Sequence, residues 1–164
     1  MSETLLEIED LSVVFGKGER AFRAVDQVSM RLNTQDVLAV VGESGSGKSV
    51  TMMALMGLLP STANISAKTL RFNGMDLQTM SKKQKRQIIG KDVSMIFQDA
   101  MTSLNPSFTV EMQITEVLKT HLGLKGAAAN QRCIELLELV EIPDAKNRLK
   151  VYPHQLSGGM SQRV

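Results

Sequence analysis

Hydrophobic and polar positions alternate along the first part of the chain. Leu6 and Ile8, then Leu11, Val13 and Phe15, form two short alternating runs whose phase slips at Glu9-Asp10. A slip inside an alternating run predicts a strand with a bulge. Val28, Met30 and Leu32 alternate with Ser29, Arg31 and Asn33. The N-terminal part is therefore predicted to be an antiparallel β layer, with residues 16–19 in a loop. Asp36 to Val41 is nearly continuously apolar, too short and too β-branched for a helix, and predicts a buried central strand running into Gly42. Val93 to Phe97 predicts a second buried strand, ending at Gln98.

Between and after these runs the period changes. Lys48 to Leu58 is rich in Met, Ala and Leu and ends before Pro60, which predicts a helix whose Met52, Met53 and Met56 fill core space. Leu70 and Phe72 precede Asn73-Gly74, a hairpin turn signal. Ser81 is placed to cap a short helix through Ile89, and its Lys82, Lys83, Lys85 and Arg86 suit a solvated face. From Thr109 the spacing is helical: Val110, Ile114, Val117 and Leu118 share one face, and Cys133, Leu136, Leu137 and Val140 share another. This part is predicted to be a small helical subdomain.

Composition narrows the class without naming a function. The 164 residues suit one domain, or one domain and a subdomain. A net charge of +2 gives no strong pull toward nucleic acid, and the basic cluster at 82–86 has no interleaved aromatics for base stacking. The longest nearly apolar stretch, Val50 to Leu59, is far short of the roughly 20 residues a spanning helix requires. Met1-Ser2-Glu3-Thr4 lacks the basic and apolar segments of a secretory signal, so cytoplasmic residence is the expectation. Cys133, the one cysteine, excludes an internal disulfide and suits packing on an apolar helix stripe.

Chemistry enters at Gly42-Glu43-Ser44-Gly45-Ser46-Gly47-Lys48-Ser49, which matches G-x-x-x-x-G-K-[ST] between a predicted strand and a predicted helix. Its glycines let the backbone wrap closely, so that successive N–H groups point at phosphate oxygens with no Cβ in the way. Lys48 would reach the β and γ phosphates and the Ser49 hydroxyl would bind Mg²⁺. A glycine-rich turn followed by lysine also arises without a ligand, at about one match per few hundred chains of this length. The second constellation, Leu156-Ser157-Gly158-Gly159-Met160-Ser161-Gln162, arises by chance in roughly one chain in several thousand. There Ser157 can cap a helix, while Gly158 and Gly159 allow close backbone approach, presenting N–H donors and a hydroxyl. A plain Ser-capped helix is the competing reading.

The two motifs in this order resemble the Walker A and signature motifs of ATP-binding-cassette ATPases, with Gln98 in the glutamine-loop position between them. The likeness extends over Phe22-Arg23-Ala24-Val25-Asp26, Met101-Thr102-Ser103-Leu104-Asn105-Pro106 and Tyr152-Pro153-His154-Gln155, and is similar to the dipeptide and oligopeptide importer type. It implies an α/β fold: a P-loop NTPase core with an N-terminal antiparallel β layer and a small helical subdomain, incomplete at the C-terminus. The implied parts are a nucleotide-binding core over 1–98, a helical subdomain over 99–156, and the signature with the start of its helix over 157–164.

The same resemblance implies ATP and Mg²⁺ as cofactors. Nucleotide contacts would come from Phe15, Gly42, Ser44, Gly45, Gly47, Lys48, Ser49, Val50, Ser157, Gly158, Gly159 and Gln162. Phe15 would stack on adenine, although core packing is an alternative for it. Gln98 would contact Mg²⁺ or the attacking water, and satisfying loop backbone is its alternative. The signature of one subunit would complete the site of a homologous subunit in a head-to-tail dimer. That dimer would dock on membrane-spanning permease subunits at the cytoplasmic face of the inner membrane, with no nucleic acid involved. Ala100 stands where relatives usually have proline, and Val50 where they often have threonine. His121 and His154 read as a helix-surface residue and a turn residue. No Walker B aspartate, catalytic glutamate or switch histidine is found up to Val164, so the 164 residues alone are expected to bind ATP with little turnover and to expose an apolar strand edge. A nucleotide-binding or regulatory protein that never turns over is the alternative.

Overall fold

A computed structural model describes residues 3–97 and 103–164. The chain forms two compact units, Met1–Ser94 and Met95–Val164.

The first unit is built on β1 (Thr4–Phe15), which pairs antiparallel with β2 (Phe22–Asn33) along its whole length. The predicted phase slip is a bulge: Asp10 adopts φ 52°, and the register shifts between Ile8 and Leu11. The displaced Asp10 N–H donates to Ser29 Oγ at 2.9 Å. A matching irregularity on the partner strand places Gln27 at φ 49°, with its N–H donating to Ser12 Oγ at 3.0 Å. Each bulge thus finds a serine on the opposite strand for the amide it removes from the ladder.

The bulge also divides the other edge of β1. Residues Leu6–Glu9 pair with β4 (Thr69–Phe72), and Ser12–Phe15 pair with β3 (Ala63–Ser66), a strand whose sequence gave no alternation signal. Asn73 and Gly74, at φ 47° and 74°, turn the chain from β4 into β5 (Met75–Asp76), as a two-residue hairpin with two positive-φ positions requires. Ile8, Leu11, Val13, Val25, Leu70 and Phe72 form the buried face. Leu11 and Val13 are wholly buried, each stabilising the unit by roughly 1.5–3 kcal/mol relative to exposure.

Helix α1 (Lys48–Leu55) covers this face with Ala54 and Thr51. It is shorter than the 48–58 expected. Gly57 enters the left-handed region at φ 65°, its N–H donates to the Ala54 carbonyl, and the Leu58 N–H donates to the Met53 carbonyl at 2.9 Å. This is the Schellman closure that glycine makes inexpensive. Helix α2 (Lys82–Ile88) starts where predicted: Ser81 and Gln84 form a reciprocal capping box. Its Lys82, Lys83 and Arg86 are exposed and Ile88 is buried.

Two expectations fail here. Residues 36–43 carry no strand ladder, and Val37 and Val41 are 98% and 93% exposed. Val93 makes one isolated bridge to Ile89, while Ile96 is 97% exposed. An apolar run becomes a buried central strand only when flanking strands satisfy its N–H and C=O groups. Among the described residues no strand pairs with either run.

In the second unit, α3 (Val110–Leu122) is capped by Thr109, whose Oγ1 accepts from the Met112 N–H. It packs on α4 (Gly126–Leu139) around Val110, Leu118, Cys133 and Leu137. Val117, expected on the buried face, is 53% exposed because the stripe 110, 114, 118 is narrow and 117 lies beyond its edge. Cys133 is fully buried, and loss of solvation followed by the nearby Glu111 carboxylate pushes its thiol pKa up. The chain ends in α5 (Ala145–Arg148), a 3₁₀ turn at Pro153–Gln155 and α6 (Gly158–Arg163). His121 is half-buried in the last turn of α3, and the His154 ring stacks on Tyr152 at 5.7 Å.

Candidate functional site

The loop 42–47 leads directly into α1. Gly45 and Gly47 adopt φ 84° and 89°, and Gly47 is the N-cap of α1. A β-carbon at Gly47 would lie 2.6 Å from the Ala24 carbonyl oxygen and 3.3 Å from Val25 Cγ2. The loop is thus pressed against β2 at a point where only glycine fits. A turn inside the loop is closed by the Ser46 N–H donating to the Glu43 carbonyl at 3.2 Å.

The Lys48 ammonium folds back into this loop. Its Nζ donates to the carbonyls of Gly42 and Glu43, both at 2.7 Å, and to Ser46 Oγ at 3.2 Å. A β-carbon at Gly42 would stand 2.8 Å from Ser46 Oγ and 3.8 Å from Lys48 Nζ. The backbone therefore curls around a cationic centre, leaving space that any side chain at 42 would fill.

Three features of the helix start suit an anion. Unlike α2, α3 and α6, α1 has no side-chain cap, so its first-turn N–H groups are not covered by a hydroxyl or carboxylate. Thr51 anchors that turn instead, with its Oγ1 and N–H both donating to the Gly47 carbonyl at 3.0 and 2.9 Å. The helix dipole adds to the Lys48 charge at the same place. Ser44 and Ser49 are exposed beside it, and Val50 is half-buried against the sheet core. The residues thus fit a polyphosphate. For a metal they offer the Ser49 hydroxyl, and among the described residues no group of three or more His, Cys, Asp or Glu gathers. A single hydroxyl beside bound phosphates matches how Mg²⁺ is held, with few protein ligands.

Phe15 ends β1, half-buried against the core, with Phe22 and Ala63 as its ladder partners. Gln98 lies outside the described residues, as do Ala100, Met101 and Thr102.

The second motif belongs to the other unit. Ser157 is the N-cap of α6 and its Oγ accepts from the Met160 N–H at 3.3 Å. Gly158 and Gly159 are exposed, and a β-carbon at either would meet nothing within 4 Å. Gln162 is exposed, whereas Ser161 is buried and Met160 packs on the helical core. The motif therefore turns its glycines outward and its Met inward.

Arg163 was missed in the sequence. Its Nη1 donates to the Glu141 carbonyl at 2.7 Å and the Val140 carbonyl at 3.4 Å, and its Nε to the Gly159 carbonyl at 3.3 Å. It ties α6 to the C-terminal end of α4, where free carbonyls face a cation. The available signal was a basic residue in the last turn of a short helix.

The family model described as ABC transporter matches residues 25–164. The dipeptide transport ATP-binding protein DppD of Haemophilus influenzae is 56% identical over 160 residues, which are 98% of this chain and 48% of that protein. The oligopeptide transport ATP-binding protein OppD of Bacillus subtilis is 46% identical over 161 residues, 98% of this chain and 45% of that protein. The chain spans about half the length of the curated relatives it matches. Among solved structures, a bacterial ABC transporter cassette in dimeric form gives a TM-score of 0.76 at 20% identity, covering 97% of this chain and 66% of that one. An ATP-binding cassette in a dimeric post-hydrolysis state bound to ADP and Pi gives 0.75 at the same identity. These structures share its fold, and the family match agrees with the glycine-lined cationic loop and the outward-facing Ser-Gly-Gly helix start: the chain belongs to the ABC transporter family.

Proposed function

We propose that this chain is the nucleotide-binding part of an ATPase subunit that couples ATP binding and hydrolysis to the uptake of dipeptides or oligopeptides. The observation that carries the nucleotide reading is the Lys48 ammonium, 2.7 Å from two loop carbonyls beneath an uncapped helix start. The peptide reading is supported by the relatives named for dipeptide and oligopeptide transport.

In this reading Lys48 exchanges its carbonyl partners for β- and γ-phosphate oxygens, and the amides of residues 45–50 hold the rest of the polyphosphate. Mg²⁺, when bound at Ser49, supplies positive charge to the phosphate oxygens. Phe15 offers a π face to the adenine. Gln98 orients water or metal at the γ-phosphate. Ser157, Gly158, Gly159 and Gln162 act on the nucleotide of a homologous subunit in a head-to-tail dimer, for which the outward-facing glycines are suited. Membrane-spanning permease subunits hold that dimer at the cytoplasmic face of the inner membrane. Among the described residues no helix is long and apolar enough to cross a membrane.

Equilibrium dialysis with Mg-ATP tests the site. Lys48→Ala is expected to abolish binding, and equal affinity in the two chains would overturn the phosphate-loop assignment.

A further inference from the structure

Phe22 opens β2 with 67% of its surface exposed, although it is a large aromatic. Its Cα partner across the ladder is Phe15. Directly opposed residues of an antiparallel pair place their side chains on the same face. Val13, two residues before Phe15, lies on that face as well. Val13 pairs with Val25, both are buried, and Val25 Cγ2 lies 3.3 Å from the β-carbon position of Gly47. The aromatic pair therefore continues the sheet face that carries the phosphate loop, just beyond the buried Val13–Val25 pair.

The register explains how the strand keeps this alignment. Val13 pairs with Val25 and Val14 with Arg23, so Ala24 is the extra residue of a bulge. Its carbonyl is the one that approaches Gly47. From there to Phe22 the strand runs roughly 7 Å, less than the length of an extended nucleoside triphosphate. A nucleotide held by its phosphates at 42–49 is long enough to place its base at this end of the hairpin. Phe15 is half-buried against Ala63 and the core, and so is fixed in place. Phe22 has a ring open to solvent.

We propose that Phe22 is a second aromatic wall of the base site, beside Phe15, so that the base rests against both rings. This rests on the nucleotide reading above. Stacking needs a π face and no hydrogen-bond pattern, so Phe22 contributes affinity for the base and none for the phosphates.

Equilibrium dialysis of the full chain with Mg-ATP and, separately, with Mg-tripolyphosphate tests it. Phe22→Ala is expected to raise the ATP dissociation constant about three- to tenfold, to leave that for tripolyphosphate unchanged, and Phe22→Trp to restore ATP binding. Unchanged ATP affinity in Phe22→Ala, or an equal loss for both ligands, would overturn the inference while leaving the phosphate loop standing. Lys48→Ala should lose both ligands. If the unaltered chain binds neither, the phosphate-loop reading falls and this inference falls with it.

Discussion

The carbonyl oxygen of Ala24 stands 2.6 Å from the position a β-carbon on Gly47 would take. The glycine-lysine loop is thus shaped by β2 at Ala24, more than twenty residues earlier, as well as by its own glycines. The contact is with backbone, which cannot rotate aside, and Gly47 is at φ 89°. Gly45 has a similar φ of 84°, but a β-carbon there would meet nothing within 4 Å.

The two glycines should therefore respond differently to alanine. Gly45→Ala carries the conformational cost alone, about 1–3 kcal/mol. Gly47→Ala carries that cost and must also push β2 away from the helix start. The expected order of urea midpoints is unaltered chain, then Gly45→Ala, then Gly47→Ala. Equal midpoints for the two variants would mean that the loop is not braced on Ala24.

What was legible in the sequence was local chemistry. The slip at Glu9-Asp10, the Asn73-Gly74 turn, and the caps at Ser81 and Ser157 each depend on a few adjacent residues, and each is found where expected. The glycine-lysine loop belongs to the same class. Partnership was not legible. The apolar runs at 36–41 and 93–97 read as central strands, but a strand is defined by neighbours that its own pattern cannot reveal. Ala63–Ser66 is the converse case, a polar segment made into a strand by β1. The bracing of Gly47 by Ala24 and the tether from Arg163 to Glu141 both span about twenty residues, and no periodicity encodes either.

That tether gives the next expectation. Arg163 holds three carbonyls at the junction of α6 and α4, and α6 is only six residues long. A helix this short depends on tertiary contacts for its stability. Arg163→Ala should lower the protection of the Ser161 and Val164 amides against hydrogen exchange, by about 1–2 kcal/mol in opening free energy. Protection in α3 should stay as it was. Unchanged exchange in α6 would show that Ser157 and the half-buried Met160 hold the helix without the arginine.

Glu9 supplies a pH dependence. Its carboxylate accepts from Thr69 Oγ1 at 2.8 Å and lies 3.3 Å from Lys68 Nζ, joining β1 to the start of β4 beside the Asp10 bulge. The Thr69 hydrogen bond, then the Lys68 hydrogen bond and charge, lower its pKa below the ordinary carboxylate value. The folded chain therefore binds this proton less readily than the unfolded chain does. Its stabilising contribution is fully present above the unfolded value, about 4.3, and is lost as pH falls through the lower folded value. The side chain is solvent-facing, so the effect is small and screened by salt. Urea midpoints measured between pH 5 and 3 at low ionic strength should fall more steeply for the unaltered chain than for Glu9→Gln, which has no proton to gain. The difference should shrink on adding salt. Parallel slopes for the two chains would mean that the Thr69 and Lys68 contacts do not distinguish the charged carboxylate from the neutral amide.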